Sequence, residues 1–260
     1  DMSVPFTAAR ARNAGVAEVS EGVELVQFLD GDCALRDGWI KTARGFLEDR
    51  PQAAVACGRR RERHPEGSGY NALIDAEWDT PVGEAKDCGG DAMIRLAALQ
   101  EVGGYREDLI AGEEPELCVR LREAGWTIWR LDAEMTWHDA DMTRLGQWWQ
   151  RAKRAGHAYA EGAAIHGAPP ERHWVAETRR ALIWGAVLPV VILFLALFIT
   201  PWAVVLALIY LAQVARLAVK GGGLAWAFFT TFGKFAEAQG ARTYYLRRLS
   251  GADKRLIEYK

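Results

Sequence analysis

The chain has 260 residues, half of them hydrophobic and a quarter charged, so it can bury a substantial core in one or two domains. This composition excludes an intrinsically disordered protein. The formal net charge of −2 conceals an asymmetry: residues 1–180 carry 23 basic and 31 acidic side chains, residues 181–219 carry one charge, and residues 220–260 carry eight basic and three acidic ones. An acidic body with a basic tail argues against nucleic acid as a partner and favours an anionic membrane surface.

The four cysteines form no CxxC pair and no close Cys/His cluster; they are Cys33, Cys57, Cys88 and Cys118. Their scatter argues against structural zinc and against a disulfide framework, and we expect reduced, buried thiols in a cytoplasmic compartment. The chain begins at Asp1 without a signal peptide, so a cut or processed N-terminus is expected.

The first elements alternate short apolar runs with an amphipathic segment. Residues 23–30 predict a strand buried on both faces, as in a parallel sheet, and residues 37–48 predict a helix that Asp37 can cap. Residues 53–57 form a second apolar run. The polar residues 59–69, which include Pro and Gly, predict a mobile loop.

The same alternation continues towards the middle of the chain. Residues 89–94 lead into a short helix, and residues 116–124 predict another helix that is entered through Pro115. The apolar residues 126–131 predict a further strand. Strands and helices of this length, in alternation, predict an α/β sandwich whose mostly parallel sheet is covered by helices.

Two apolar segments follow, residues 181–199 and 202–219. Each approaches the roughly 20 residues that cross a bilayer core as a helix, so we predict a transmembrane hairpin. The alternative is a buried helical hairpin of a soluble protein. Basic residues flank the pair but are absent from its turn: Arg179, Arg180, Arg216 and Lys220. The positive-inside rule therefore predicts that both ends lie in the cytoplasm.

These patterns divide the chain into four parts. They are an α/β domain over residues 1–145, amphipathic or linker helices over 146–180, the membrane hairpin over 181–219, and an interfacial helix with a basic cytoplasmic tail over 220–260. We expect the protein at the inner (cytoplasmic) membrane of the cell, with the α/β domain in the cytoplasm.

Two carboxylates follow the first predicted strand, Asp30 and Asp32. Side chains two residues apart on an extended backbone point to the same side, so both can converge on one hard cation. Mg²⁺ or Mn²⁺ held by one or two carboxylates takes its remaining ligands from substrate phosphates and water. Most Asp-x-Asp triplets only form turns. This one follows a predicted strand at the carboxyl edge of the sheet, where ligands bind in α/β proteins, and this position favours a functional role.

Several motifs occur in order along residues 5–140: ARNAG, QFLDGD, CGGDAMIR, VGGYRED, GEEPELCVRLREAGW and TWHD. In this order and spacing the chain resembles the inverting family 2 glycosyltransferases. The resemblance implies a GT-A fold, a nucleotide-sugar donor, a divalent cation and direct displacement with inversion at the anomeric carbon. Such a domain normally opens with strands ahead of ARNxG, so the resemblance also implies a domain that is incomplete at its N-terminus.

The resemblance assigns the metal site and the catalytic base. Asp30 and Asp32 match the family's DxD, with Asp32 as the direct metal ligand and Asp30 near the ribose or the metal. His138 matches a position that holds metal or diphosphate in some relatives, and a strand-end hydrogen bond is an equally good interpretation. Glu113 and Glu114 occupy the place of the acidic pair whose second member is the general base, although this chain has Glu where Asp is usual. We favour Glu114 over Glu113; helix capping is the alternative.

The remaining implied contacts concern the two substrates. Arg12 and Asn13 match the segment beside the nucleotide. Gly89 and Gly90 match the loop where backbone approaches the sugar or the acceptor. A segment at residues 147–154 distantly resembles the QxxRW motif of processive synthases, and its basic residues, Arg151 and Arg154, are candidates for contact with diphosphate or a lipid-linked acceptor. An amphipathic helix on the membrane explains that segment equally well, and processivity is not supported.

The expected activity is transfer of a sugar from a nucleotide-sugar to a lipid-linked or polysaccharide acceptor, with membrane lipid as a further partner. Two other classes remain open. A metal-dependent nucleotidyltransferase or phosphotransferase also uses clustered carboxylates and a phosphate-bound cation. A catalytically degenerate membrane scaffold would retain the fold without the reaction.

Overall fold

The computed structural model describes residues 7–251, which divide into two compact units between Arg144 and Leu145. Residues 1–6 and 252–260 lie outside the described residues, and the end of the predicted basic tail lies among them.

Within residues 7–144, the N-terminal unit contains one sheet and five α-helices. Its strands are β1 (Leu25–Phe28), β2 (Cys33–Leu35), β3 (Ala53–Glu62), β4 (Gly83–Ala85), β5 (Ala92–Arg95) and β6 (Thr127–His138). Its helices are α1 (Ala8–Ala17), α2 (Trp39–Asp49), α3 (Gly69–Glu77), α4 (Leu96–Glu101) and α5 (Glu113–Glu123), with a 3₁₀ turn at Pro65–Gly67. The helices around a sheet confirm the predicted α/β class.

The sheet is mixed, which corrects the prediction of a mostly parallel one. The strand order is β1-β5-β3-β6-β2, and β4 also pairs with β6. Among the described strands, only β3 and β6 are parallel; the other four pairings are antiparallel. A continuous apolar run reports burial on both faces of a strand, and an enclosed antiparallel strand meets that condition as well as a parallel one. The run therefore could not fix the direction of its neighbours.

The predicted loop over residues 59–69 is wrong in its first part, because β3 continues through the charged run to Glu62. There Arg60 pairs with Thr136 and Arg61 with Trp137 of β6 in the parallel register. The charges are balanced by acidic side chains from other elements, as in the 2.8 Å pair between Arg61 and Glu134. A run of like charge can thus be accommodated in a strand when tertiary contacts supply its counter-charges.

Helices α2 and α5 begin at glycines in the left-handed region. Helix α2 starts after Gly38 (φ 81°), which makes no side-chain cap, so the predicted capping by Asp37 is wrong. Its buried face consists of Trp39, Ala43 and Leu47, which lie in the core against the sheet. Helix α5 starts after Gly112 (φ 82°) and already includes the glutamate pair in its first turn.

Over residues 145–251, which the structure describes, the regular structure of the C-terminal unit is helical. It contains α6 (Leu145–His166), α7 (Val175–Leu182), α8 (Leu188–Phe198), α9 (Leu208–Leu217) and α10 (Gly223–Ser250), with π-helical segments at Ile183–Val187 and Ala218–Gly222 and a 3₁₀ segment at Pro201–Ala207. Two continuous helical stretches, Val175–Phe198 and Pro201–Gly221, are long and apolar enough to cross a membrane by length and composition. They overlap the two predicted apolar segments, residues 181–199 and 202–219, and their crossing of a membrane as a hairpin remains a prediction.

The segment predicted to be a short interfacial helix is the first half of the 28-residue α10. This helix packs closely on α6 through glycines. A Cβ at Gly156 of α6 would lie 2.0 Å from the carbonyl oxygen of Glu237, and one at Gly240 would lie 1.9 Å from that of Lys153. Small residues therefore set the separation of the two helices, a long-range requirement that local composition did not reveal.

Candidate active site

Asp30 lies two residues beyond the end of β1 and is held by two arginines. Its Oδ1 accepts from Arg12 at 2.8 Å and its Oδ2 accepts from Arg60 at 2.9 Å. These guanidinium groups lower the pKa of Asp30, against the opposing effect of burial. Asp30 is therefore ionised at neutral pH and sits between two positive charges.

Asp91 is the buried centre of this cluster, and sequence reasoning missed it. Its side chain has no exposed surface, and it accepts hydrogen bonds from the backbone N–H of Asp30 at 2.9 Å and from the Thr136 hydroxyl at 2.8 Å. Arg60 lies 2.8 Å from its Oδ2. Asp91 thus ties the end of β1 to β3 and β6. The available signal was an acid directly after Gly90 and before an apolar strand.

Gly90 is required by the close approach of Asp30. A Cβ at this position would lie 2.5 Å from both carboxylate oxygens of Asp30 and 2.7 Å from Nη2 of Arg12. Gly89 by contrast faces open space within 4 Å. The close contact at Gly90 is therefore with the side chains of Asp30 and Arg12. The predicted approach of Gly89 and Gly90 to a sugar or an acceptor stays a prediction.

Arg12 joins the acid after β1 to the glutamate pair at the start of α5. Its Nη1 lies 2.7 Å from Oε1 of Glu114 and 3.1 Å from Oε1 of Glu113, while its Nη2 reaches Asp30. The Arg12 side chain is 11% exposed. The structure thus brings together three predicted site carboxylates that are up to 84 positions apart in the sequence.

Glu114 has the electrostatic character of a proton acceptor near neutral pH. Burial and the neighbouring charge of Glu113 raise its pKa from 4.5 to about 7, although Arg12 acts in the opposite direction. Its side chain keeps 14% of its surface exposed, while that of Glu113 keeps 6%. A carboxylate that titrates near pH 7 and retains access to solvent suits general-base chemistry.

Two groups of side chains have the spacing of metal ligands among the described residues. One consists of Asp32, Cys33 and His138, and the other of Asp30, Cys33 and Asp91. The second group fits a cation poorly because Arg60 already lies within 2.9 Å of both of its carboxylates. Burial also raises the pKa of the Cys33 thiol, which disfavours the thiolate that binds metals.

The pair of Asp32 and His138 fits a divalent cation better. His138 Nε2 lies 3.4 Å from Oδ1 of Asp32, and its Nδ1 lies 3.7 Å from Oε2 of the buried Glu62. A carboxylate behind the histidine is a common arrangement around metal-binding imidazoles. Asp30 lies with its arginines in the other group, so the two aspartates of the motif have different partners.

Trp78 connects the two halves of this region, and sequence reasoning missed it as well. The guanidinium of Arg60 lies 5.3 Å from the centre of the Trp78 ring, and the His138 ring meets Trp78 edge-on at 4.6 Å. Trp78 follows α3, a segment in which the sequence offered no chemical motif. It packs beside the residues that hold Asp30 and Asp32.

Asn13 lies next to Arg12 and attaches α1 to the loop before α5. Its amide nitrogen donates to the carbonyl of Tyr105 at 2.8 Å, and its amide oxygen accepts from the Tyr105 N–H at 2.9 Å. A Cβ at Gly104 (φ 75°) would lie 2.9 Å from the same oxygen, which explains this glycine. These contacts fix the position of α1; a nucleotide contact by Asn13 stays a prediction.

Arg151 and Arg154 both lie on α6 in the C-terminal unit, apart in sequence from every other predicted site residue. Their predicted contacts with diphosphate or a lipid-linked acceptor remain predictions.

A cavity of about 470 Å³ lies at the opposite end of β1 from Asp30. It is lined by Gly22, Glu24, Leu25, Ile40, Arg44, Glu48 and Met93. None of these lining residues is a predicted site residue.

The chain is similar in sequence to known glycosyltransferases. The chain is 31% identical over 170 residues to the pre-mycofactocin glycosyltransferase of Mycobacterium tuberculosis, in both strain CDC 1551 / Oshkosh and strain ATCC 25618 / H37Rv. The match covers 61% of this chain and 35% of each relative, so the chain spans about a third of the length of these relatives. No family model matches the chain.

A solved structure agrees in fold. The mannosyltransferase PcManGT from Pyrobaculum calidifontis, in complex with GDP-Man and Mn²⁺, superposes with a TM-score of 0.59 at 20% identity. The superposition covers 94% of this chain and 68% of PcManGT. The chain is therefore similar in sequence to a glycosyltransferase over 170 residues, and its mixed sheet with flanking helices has the GT-A-type fold of a mannosyltransferase.

Proposed function

We propose that the protein transfers a sugar from a nucleotide-sugar donor to a lipid-linked or polysaccharide acceptor, with inversion, at the cytoplasmic face of the inner membrane. The observation that carries this proposal is the bridge formed by Arg12 between Asp30, beside the candidate cation site, and Glu114. It places an ionised acid and a candidate base within reach of one guanidinium. A single-displacement transfer needs a donor site and a base side by side.

The residues have separate roles in this proposal. Asp32 and His138 would hold a divalent cation, Mg²⁺ or Mn²⁺, which when bound neutralises charge on the departing nucleoside diphosphate. Glu114 accepts the proton of the acceptor hydroxyl as that oxygen attacks the anomeric carbon. Glu113, more deeply buried, helps raise the pKa of Glu114 into the range where a base works at neutral pH.

The membrane part of the proposal rests on the C-terminal unit. The stretches Val175–Phe198 and Pro201–Gly221 keep most of their apolar side chains on the surface: only 11% and 17% of their most apolar windows are buried. Lipid would cover such a surface. Because the chain carries its basic residues outside the hairpin turn, the proposed orientation has both ends in the cytoplasm.

The test uses the full native protein in nanodiscs and measures release of nucleoside diphosphate from a panel of nucleotide sugars with Mn²⁺ or Mg²⁺. GDP-mannose with Mn²⁺ comes first because PcManGT is in complex with both. We expect cation-dependent release that an added acceptor accelerates, and a product with the anomeric configuration opposite to that of the donor. Release of pyrophosphate from a nucleoside triphosphate would indicate a nucleotidyltransferase instead. No turnover with any donor or acceptor would favour the scaffold.

The matched control is Glu114→Gln, which keeps the size of the side chain and removes its basicity. We expect turnover to fall by about 10²–10⁴-fold, the usual contribution of a general base. Donor affinity, measured by calorimetry, should stay close to that of the wild type. Wild-type turnover by this variant would remove Glu114 from the mechanism.

A further inference from the structure

Both terminal nitrogens of the Arg12 guanidinium contact carboxylates. Nη1 faces Glu114 at 2.7 Å and Glu113 at 3.1 Å, and Nη2 donates to Asp30 at 2.8 Å. A planar fork of fixed geometry can hold such a set of oxygens, whereas a point charge cannot. The family resemblance implied a nucleotide contact at this position, so these contacts point to a different role.

The surroundings fix Arg12 in this orientation. Its guanidinium lies 5.4 Å from the centre of the Tyr105 ring, and Gly90 leaves the space that Nη2 occupies. The next residue, Asn13, attaches α1 to Tyr105 through two hydrogen bonds. The helix, the loop before α5 and the glycine turn therefore each constrain the same side chain.

We propose that Arg12 is a positioning residue for the catalytic base: it orients the carboxylate of Glu114 towards the acceptor and keeps that carboxylate available as a proton acceptor. This inference rests on the proposed function, because it assigns Glu114 the role of base. It assigns Arg12 to the base and not to the nucleotide.

The charges around Glu114 determine the direction in which loss of Arg12 would shift the pKa of Glu114. The groups that face it are Arg12, Glu113, Asp30, Tyr105 and Cys88. Among them only Arg12 is cationic, and it lowers the pKa of Glu114 while burial, Glu113 and Asp30 raise it. Loss of the Arg12 charge therefore moves the pKa of Glu114 above 7, and the ionised base is populated only at higher pH.

The first experiment compares the pH dependence of turnover for the wild type, Arg12→Met and Arg12→Lys in the full protein, with the donor identified by the panel. For Arg12→Met we expect the acidic limb of kcat to move up by at least one pH unit, with donor KM within about threefold of the wild type. Arg12→Lys keeps the positive charge but loses the planar guanidinium. The acidic limb of its kcat profile should therefore stay within half a pH unit of the wild type, while kcat itself falls. The matched control is Arg10→Met on the same helix, whose side chain lies 3.6 Å from Glu107 and outside the acidic cluster.

Two results of this experiment would overturn the inference. One is an unchanged acidic limb in Arg12→Met together with a donor KM raised tenfold or more, which assigns Arg12 to the nucleotide. The other is a shift of equal size in Arg10→Met, which would reflect net charge and not position.

The second experiment needs no substrate. Thermal midpoints are measured at pH 5.5 and pH 8.5 for Arg12→Met alone and combined with Glu114→Gln or with Glu113→Gln. We expect Arg12→Met to lose more stability at pH 8.5 than at pH 5.5, because ionising Glu114 then leaves it without its cation, and we expect Glu114→Gln to restore most of this loss. Restoration by Glu113→Gln alone, or by neither, contradicts the proposal.

The thermal midpoints also distinguish a failure of the proposed function from a failure of the proposed role of Arg12. If no donor is turned over, the proposed function fails, while the coupling between Arg12 and Glu114 is still decided by the thermal midpoints. If transfer is found but the coupling is absent, only the role of Arg12 is lost.

Discussion

The two units of the chain depart from ordinary burial in opposite directions. In the N-terminal unit charged side chains are partly or fully enclosed: Asp91 has no exposed surface and Arg60 is 15% exposed, and each lies within 3 Å of an opposite charge. In the C-terminal unit large apolar side chains are exposed, such as Leu193 at 58% and Phe198 at 71%. Buried ion clusters need exact partners because a lone charge is expensive in the interior, whereas exposed apolar helices need only an apolar solvent. The first unit is therefore sensitive to single groups and the second to its surroundings.

The largest effect on stability is expected from breaking the buried cluster with Asp91→Ala. The substitution removes the acceptor for the Asp30 N–H and the Thr136 hydroxyl and one of the two carboxylates on Arg60. We expect a loss of about 3–5 kcal/mol in unfolding free energy, typical of removing one partner from a buried ion pair. Chemical denaturation monitored by fluorescence measures it. A loss below 1 kcal/mol would show that the cluster is not a sensitive part of the fold.

A comparably large effect is expected from a charge on the exposed apolar surface of the second unit. Leu193→Lys places a cation near the middle of a proposed membrane helix, which costs about 2.5–3.5 kcal/mol of insertion free energy. The fraction of protein that resists carbonate extraction from membranes should fall. Val82→Lys is the matched control: Val82 is equally exposed at 57% but lies in the N-terminal unit, where water already covers it. Equal behaviour of the two variants would contradict the membrane assignment.

The pH dependence of turnover follows from Glu114. Its pKa in the folded protein is about 7, above the ordinary 4.5, so the carboxylate is protonated below pH 7 and ionised above it. A base works in its ionised form, and we expect turnover to rise about fiftyfold from pH 5 to pH 7, and about a hundredfold from pH 5 to the plateau above pH 8. Initial rates across this range measure it. A flat profile would mean that the buried glutamate pair is not the titrating group.

The smallest effect is expected at the surface pair of Arg61 and Glu134, whose side chains are 41% and 37% exposed. Because exposed ion pairs contribute about 0.2–1 kcal/mol, Glu134→Gln should change the unfolding free energy by less than 1 kcal/mol. The same denaturation experiment gives the comparison with Asp91→Ala. A large loss here would mean that burial does not separate sensitive pairs from tolerant ones.

Much of the fold and part of the site could be predicted before the structure. A helix was predicted over residues 37–48 and α2 occupies Trp39–Asp49, and both apolar stretches form helices. Asp30 was singled out because it follows a predicted strand end, and Glu114 because the family resemblance places an acidic pair there at a helix start; their roles remain predictions. The directions of the strands and the continuation of β3 through Arg59, Arg60 and Arg61 could not be predicted, because both depend on neighbours that are distant in sequence.

The sequence alone determined which segments are apolar, where helices α2 and α5 end to within a residue, and which carboxylates stand at chain positions suited to chemistry. Only the tertiary structure decided that Arg12 joins Asp30 to Glu114, that Asp91 is the buried anchor, and that the charges of β3 have counter-ions. The physical reason is the separation along the chain over which each interaction acts. Hydrophobic periodicity and capping act within a few residues, whereas a buried charge is tolerated only through partners that folding brings from elsewhere in the chain.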